Sequence, residues 1–255
     1  MKFNLLLLNG WAAKPDVFTP LIDAIRDHID KVLIIDWYDS KQSTFDRVDN
    51  MVKVLSQTTP NRPTLIGGWS SGTMPLLSYL GSDRIDPSVK GGLLFGGTAR
   101  FVNTATPDYN FGWHKEILKQ MIDNFDQNAA TVIDAFSKKA MSVSDQANPL
   151  QADTFKSCFQ KEDMSVNTQN ELRSALEFLA HSDVRMRVQK ILHPLLIIAG
   201  EKDCICPISC STWIHEHSLN ASLYKLKDAG HAPHFFQPQV CRNIFEEYIK
   251  ELDLK

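Results

Sequence analysis

Five short apolar stretches, 3–8, 32–35, 64–67, 91–95 and 194–199, are too brief for helices and read as buried strands, and 221–226 reads as a sixth. Between them the apolar positions fall at helical spacing. Val17, Phe18, Leu21, Ile22 and Ile25 form one such stripe, with Pro15 suited to a first turn, and Phe45, Val48, Val52 and Leu55 form a second. Met74, Leu76, Leu77 and Leu80 mark a buried helix after the third strand, and Val240, Ile244, Phe245, Tyr248 and Ile249 mark an amphipathic one near the end. Pro60 and Pro63 break the chain before the third strand. Strands alternating with helices in this way predict an α/β fold with a mostly parallel sheet covered on both faces. Ligands of such sheets sit at the carboxyl ends of the strands.

Between the fourth and fifth strands the periodicity is helical throughout. Ile117, Leu118, Met121, Ile122 and Phe125 make one stripe, Val132, Ile133 and Phe136 a second, and Leu172, Leu176 and Leu179 a third. The expected organisation is a core of residues 1–103 and 188–255 interrupted by a helical insertion, 104–187. Placed over the strand ends, such an insertion would act as a lid that shapes an apolar pocket and excludes water.

Composition narrows the classes. The 255 residues, 43% of them hydrophobic, suffice for one sizeable core, and the net charge of −3 argues against a general nucleic-acid or membrane-surface binder. The apolar run at 3–8 is too short for a membrane span and lacks a cleavage site, so it reads as a strand. Five cysteines without a framework spacing fit free thiols and a cytoplasmic location.

The third strand runs into Gly68-Trp69-Ser70-Ser71-Gly72, a G-x-S-x-G pentapeptide followed by a helix. This is the context of a nucleophile elbow, where a serine is lifted out of a sharp strand-to-helix turn. Asp203 follows the fifth strand and His231 follows the sixth. The chain order Ser70, Asp203, His231 is that of an α/β-hydrolase triad. A serine hydroxyl is a poor nucleophile at neutral pH, so His231 is the candidate base and Asp203 the acid that orients it. Asp228 stands as a rival acid. The amides of Ser71 and Trp11, the latter on the loop after the first strand, are the candidate oxyanion donors. Cys204, Cys206 and Cys210 with His215 and His217 match no common zinc spacing, so neither metal nor cofactor is expected.

These residues resemble the α/β-hydrolase esterases that cleave the methyl ester of pimeloyl-acyl-carrier protein in biotin synthesis. The similarity lies in Leu8-Asn9-Gly10-Trp11, the elbow, Ala99-Arg100-Phe101, the stretch from Leu176 to Arg185, and Gly230-His231-Ala232-Pro233-His234. The resemblance implies a monomeric serine carboxylesterase with Ser70, Asp203 and His231 as triad, and with Trp11 and Ser71 as oxyanion donors. It also implies that the lid docks acyl carrier protein. Trp11, Trp69 and Phe101 are the candidate substrate-binding residues, although Trp69 and Phe101 read equally as pocket wall or core, since both are apolar. Lys115, Lys119, Lys138, Lys139, Arg185 and Arg187 are the candidate docking cations. The chain departs from the pattern at Asn9, where a histidine is usual, and after the second strand, where Asp36-Trp37-Tyr38-Asp39-Ser40 lacks a Gly-rich loop. The lid holds nine Lys and Arg against twelve Asp and Glu, although an acidic carrier should prefer a basic surface. A thioesterase, a general short-chain carboxylesterase and a non-catalytic binding protein of the same fold are the alternatives.

Overall fold

The computed structural model describes residues 2–38, 43–104, 109–160 and 164–252. Six strands, β1 (Phe3–Leu8), β2 (Ile29–Ile35), β3 (Thr64–Trp69), β4 (Val89–Phe95), β5 (Leu195–Gly200) and β6 (Ala221–Leu226), form a single sheet in the order β2-β1-β3-β4-β5-β6. Every adjacent pair is parallel. The sheet centre explains the apolar runs: all six residues of β1, β3 and β5 are buried, polar Asn4 and Thr64 included, because helices cover both faces. The edge strands β2 and β6 are only partly buried. The chain crosses between strands through α1 (Thr19–Ala24), α2 (Thr44–Thr58), α3 (Thr73–Leu80) and α9 (Ile208–His217), and closes with α10 (Pro233–Phe236) and α11 (Pro238–Glu251). In α2 the predicted Val48, Val52 and Leu55 are buried, and Ser43 caps the helix by accepting from Asp46 N at 3.1 Å.

Between β4 and β5 lie α4 (Lys115–Gln127), α5 (Ala129–Lys139), α6 (Pro149–Ser157), α7 (Val166–His181) and α8 (Arg185–Val188). Short polar caps start three of them: Asn128 accepts from Thr131 N, Asn148 from Gln151 N and Ser165 from Thr168 N. Leu118, Phe125, Ile133, Phe136, Leu172, Leu176 and Leu179 are buried, whereas Ile117 is 54% exposed. The insertion is tied back to the sheet by Arg100, whose guanidinium lies 2.7 Å from Asp183 beyond the end of α7. Burial works against the Asp183 charge, but the bonds from Arg185 and Arg100 prevail and bring its carboxyl down to about 2.

Candidate active site

The elbow is built by close backbone approach. Ser70 has φ +55°, a left-handed conformation that a non-glycine residue adopts only where its surroundings enforce it. A side chain on Gly68 would meet the Gly72 carbonyl oxygen at 2.7 Å, and one on Gly72 would drive into the Leu8 and Asn9 carbonyls. Both glycines of the pentapeptide are therefore packing requirements. They let β3 turn back into α3 beside the end of β1.

Asp203 and His231 come together from the loops after β5 and β6. Asp203 Oδ2 lies 2.7 Å from His231 Nδ1, and Oδ1 accepts the amides of Ile205 at 2.7 Å and Cys206 at 2.8 Å. The carboxylate is thus fixed by two backbone donors and spends its second oxygen on the ring. His231 is fully buried, and with Nδ1 engaged its Nε2 has no partner among the described residues; no hydrogen bond joins it to Ser70. An Asp203 that accepts at Nδ1 sets the tautomer in which Nε2 carries the lone pair. Asp228 has φ +63° and an exposed side chain, and it is not the residue at the ring.

Ser70 opens into a tight cavity of about 10 Å³, room for roughly one water. Its walls include Trp11, Ser71, Phe101, Met121, Phe136 and Ile205. Met121 and Phe136 also line an open groove of about 560 Å³ between α4 and α5, and exposed Ile117 belongs to that groove rather than to the core. Periodicity could not separate these wall positions from helix packing, since both are apolar.

Trp69 is a correction. It does not line the cavity at Ser70 but lies fully buried beneath it, and its indole donates to the His231 carbonyl at 2.8 Å. The strand alternation turns its ring away from Ser70, against Phe155 and Phe159. Trp11 has a second role besides lining: its indole donates to Leu172 O at 2.9 Å, joining the first loop to α7. Asn9 holds that loop by donating to Asp36 Oδ1 at 2.9 Å and to Ala13 O at 3.3 Å. Asp39 and Ser40 lie outside the described residues.

The remaining candidates scatter. Lys138 pairs with Asp134 at 2.7 Å, Lys139 sits 4.8 Å over the Trp113 ring at the groove, and Lys115 and Lys119 are exposed on α4. Arg185 pairs with Asp183 at 2.8 Å, and Arg187 reaches Gly81 O at 3.4 Å, both on α8 rather than on α4 or α5. Cys204 is exposed while Cys206 and Cys210 are buried, and burial pushes the Cys210 thiol up to about 11. Among the described residues these cysteines form no cluster with His215 and His217, and His217 stacks on Trp213 with ring centroids 3.9 Å apart. Among the described residues the one cluster with metal-ligand spacing is Asp27, His28 and Glu246, and Arg242 bonds both of its carboxylates.

The parallel sheet, the strained serine turn and the acid–histidine pair at the strand ends together define a hydrolase scaffold. The chain belongs to the alpha/beta hydrolase fold family, whose model matches residues 4–238. It is similar to the pimeloyl-[acyl-carrier protein] methyl ester esterase of Nitrosomonas europaea, 25% identical over 247 residues that cover 95% of this chain and 94% of that one. The esterase of the same name from Xylella fastidiosa strain M12 is 28% identical, with 97% and 95% covered. Among solved structures, an esterase from Exiguobacterium antarcticum shares the fold with a TM-score of 0.82 at 18% identity, covering 98% of this chain and 92% of its own. No helix among the described residues is long and apolar enough to cross a membrane.

Proposed function

We propose that the chain is a serine carboxylesterase of biotin synthesis that hydrolyses the methyl ester of pimeloyl-acyl-carrier protein. The observation that carries the chemistry is the strained Ser70 at the mouth of an apolar cavity, together with the buried Asp203–His231 pair and its uncommitted Nε2. The substrate rests on the names of the relatives. Ser70 Oγ attacks the ester carbonyl carbon while His231 Nε2 takes the hydroxyl proton. The amides of Ser71 and Trp11 receive the oxyanion, and Asp203 stabilises the imidazolium. Collapse breaks the carbonyl–methoxy bond, and His231 returns the proton to the departing methanol. Water, activated by the same imidazole, then releases the free acid on its carrier and restores Ser70.

Residues 104–187 serve as the lid. The groove between α4 and α5 shares Met121 and Phe136 with the cavity at Ser70; Lys139 lines it, and the exposed Lys115 and Lys119 of α4 extend the docking surface. The excess of acid over base in this segment favours one second reading, a short-chain carboxylesterase that needs no carrier. The deciding measurement compares the purified protein and Ser70→Ala on pimeloyl-acyl-carrier-protein methyl ester and on short nitrophenyl esters. The proposal requires Ser70-dependent cleavage with a higher kcat/KM on the carrier-bound ester, and a loss of at least about 10³-fold in the variant. Cleavage of small esters alone would replace it with the second reading.

A further inference from the structure

The lid does more than roof the cavity, because one of its segments grips the loop that presents His231. Three backbone groups of that loop bond to residues 140–145. The His231 amide donates to Ala140 O at 2.8 Å, the Gly230 amide to Asp145 Oδ2 at 2.9 Å, and the Asp228 carbonyl accepts from Ser142 Oγ at 2.7 Å. Asp145 stands at the centre of this seam. The same Oδ2 accepts the Ser142 amide at 2.9 Å, and the Asp145 amide donates to Ser142 Oγ at 3.1 Å. The carboxylate is 5% exposed, and it lines neither the cavity at Ser70 nor the groove. Gly230 is fitted to it: a side chain there would strike Asp145 Oδ2 and come within 2.6 Å of Ser142 N.

A buried carboxylate away from the substrate cavity, spent on two amides of which one precedes the base, is costly unless that geometry matters. Burial pushes the Asp145 carboxyl up and the charge of Asp203 adds to the push, while the bonds from Ser142 and Gly230 oppose it. On the opposite side the Trp69 indole holds the His231 carbonyl. The backbone of His231 is therefore held from both the sheet and the lid. We propose that Asp145 is a positioning residue for His231, so that the loop carrying the base keeps its working position only while the lid segment 140–145 is seated. This rests on the hydrolytic reading given above.

The test is steady-state hydrolysis of a nitrophenyl ester, with active sites counted by a serine-directed fluorophosphonate so that misfolded protein does not enter kcat. Asp145→Ala leaves the Gly230 and Ser142 amides without their acceptor. The expected result is a kcat per titrated site lower by about 10- to 100-fold, the scale of a small misplacement of a catalytic group, with KM within about twofold. Asp145→Asn keeps an oxygen that can accept both amides, and it should restore kcat to within about threefold of wild type. Asp145→Ser, too short to span to Gly230, carries the same expectation as alanine if the alanine protein does not fold. In parallel, proton NMR should show the low-field Nδ1–H signal of His231 in wild type and Asp145→Asn, and its loss or broadening in Asp145→Ala. An unchanged kcat per site with an intact low-field proton in the alanine or serine variant would overturn the proposal. Absence of Ser70-dependent hydrolysis in the wild type would instead reject the esterase reading, and the NMR comparison would still decide on Asp145.

Discussion

His234 offers a quantitative test of how the ground beneath the site is built. Its ring is fully buried, with centroids 5.0 Å from Phe18, 5.0 Å from Phe95 and 5.3 Å from Trp69, and neither ring nitrogen has a hydrogen-bond partner among the described residues. Burial, reinforced by the neighbouring His231, lowers its pKa from 6.5 to about 3. The folded protein thus keeps this histidine neutral at a pH where the unfolded chain protonates it. Stability is fully present above pH ~6.5 and is lost as pH falls from there toward ~3, at about 1.4 kcal/mol per unit. Phenylalanine at this position keeps the aromatic contacts and removes the titration. At pH 7.5 His234→Phe should be neutral to about 2 kcal/mol stabilising, since two unpartnered polar atoms leave the core while the ring grows slightly. At pH 5.0 its advantage should widen by a further ~2 kcal/mol. Urea unfolding of both proteins at the two pH values, in fixed salt, measures the difference directly, because the other titrating groups are common to both. An advantage that stays constant between pH 7.5 and 5.0 would refute the buried neutral histidine.

Four further outcomes follow from the geometry. Trp69→Phe removes the donor to the His231 carbonyl and should lower kcat about tenfold with KM unchanged, at a stability cost of about 1 kcal/mol by thermal denaturation. Gly72→Ala forces a methyl group into the Leu8 and Asn9 carbonyls and should cost about 3 kcal/mol or more, read as a fall in Tm or in soluble yield. Asn9→Ala frees the first loop from Asp36, with a predicted loss of about 1–2 kcal/mol in urea unfolding and a lower kcat through the Trp11 amide. Reversing Lys115 and Lys119 to glutamate should raise KM for the carrier-bound ester about three- to tenfold and leave nitrophenyl esters untouched, which separates docking from chemistry.

The strands were legible because a sheet buried on both faces favours apolar residues at nearly every position, and β1, β3 and β5 carry that signature with only Asn4 and Thr64 as buried polar exceptions. The elbow was legible for a different reason: its glycines answer to backbone contacts within a few residues of one another and beside β1. Asp203 and His231 could be placed by their positions just past strand ends, since topology confines such loops to one edge of the sheet. Helix α9 left little trace. Its ten residues, ISCSTWIHEH, mix buried Cys210, Ser211, Trp213 and Ile214 with histidines, and the stripe is too irregular to announce a helix.

What only tertiary structure decided is which neighbour each side chain meets. Trp69 follows from strand register, which turns the aromatic beside Ser70 into a brace for His231 rather than a wall of the cavity. The Asn9–Asp36 bond spans 27 residues and the Gly230–Asp145 bond spans 85, and no periodicity encodes partners at such separations. Local pattern reports whether a position is buried and in what element. Hydrogen-bond partners and pocket walls are chosen by how the helices between β4 and β5 settle on the sheet, and that packing is a property of the whole chain.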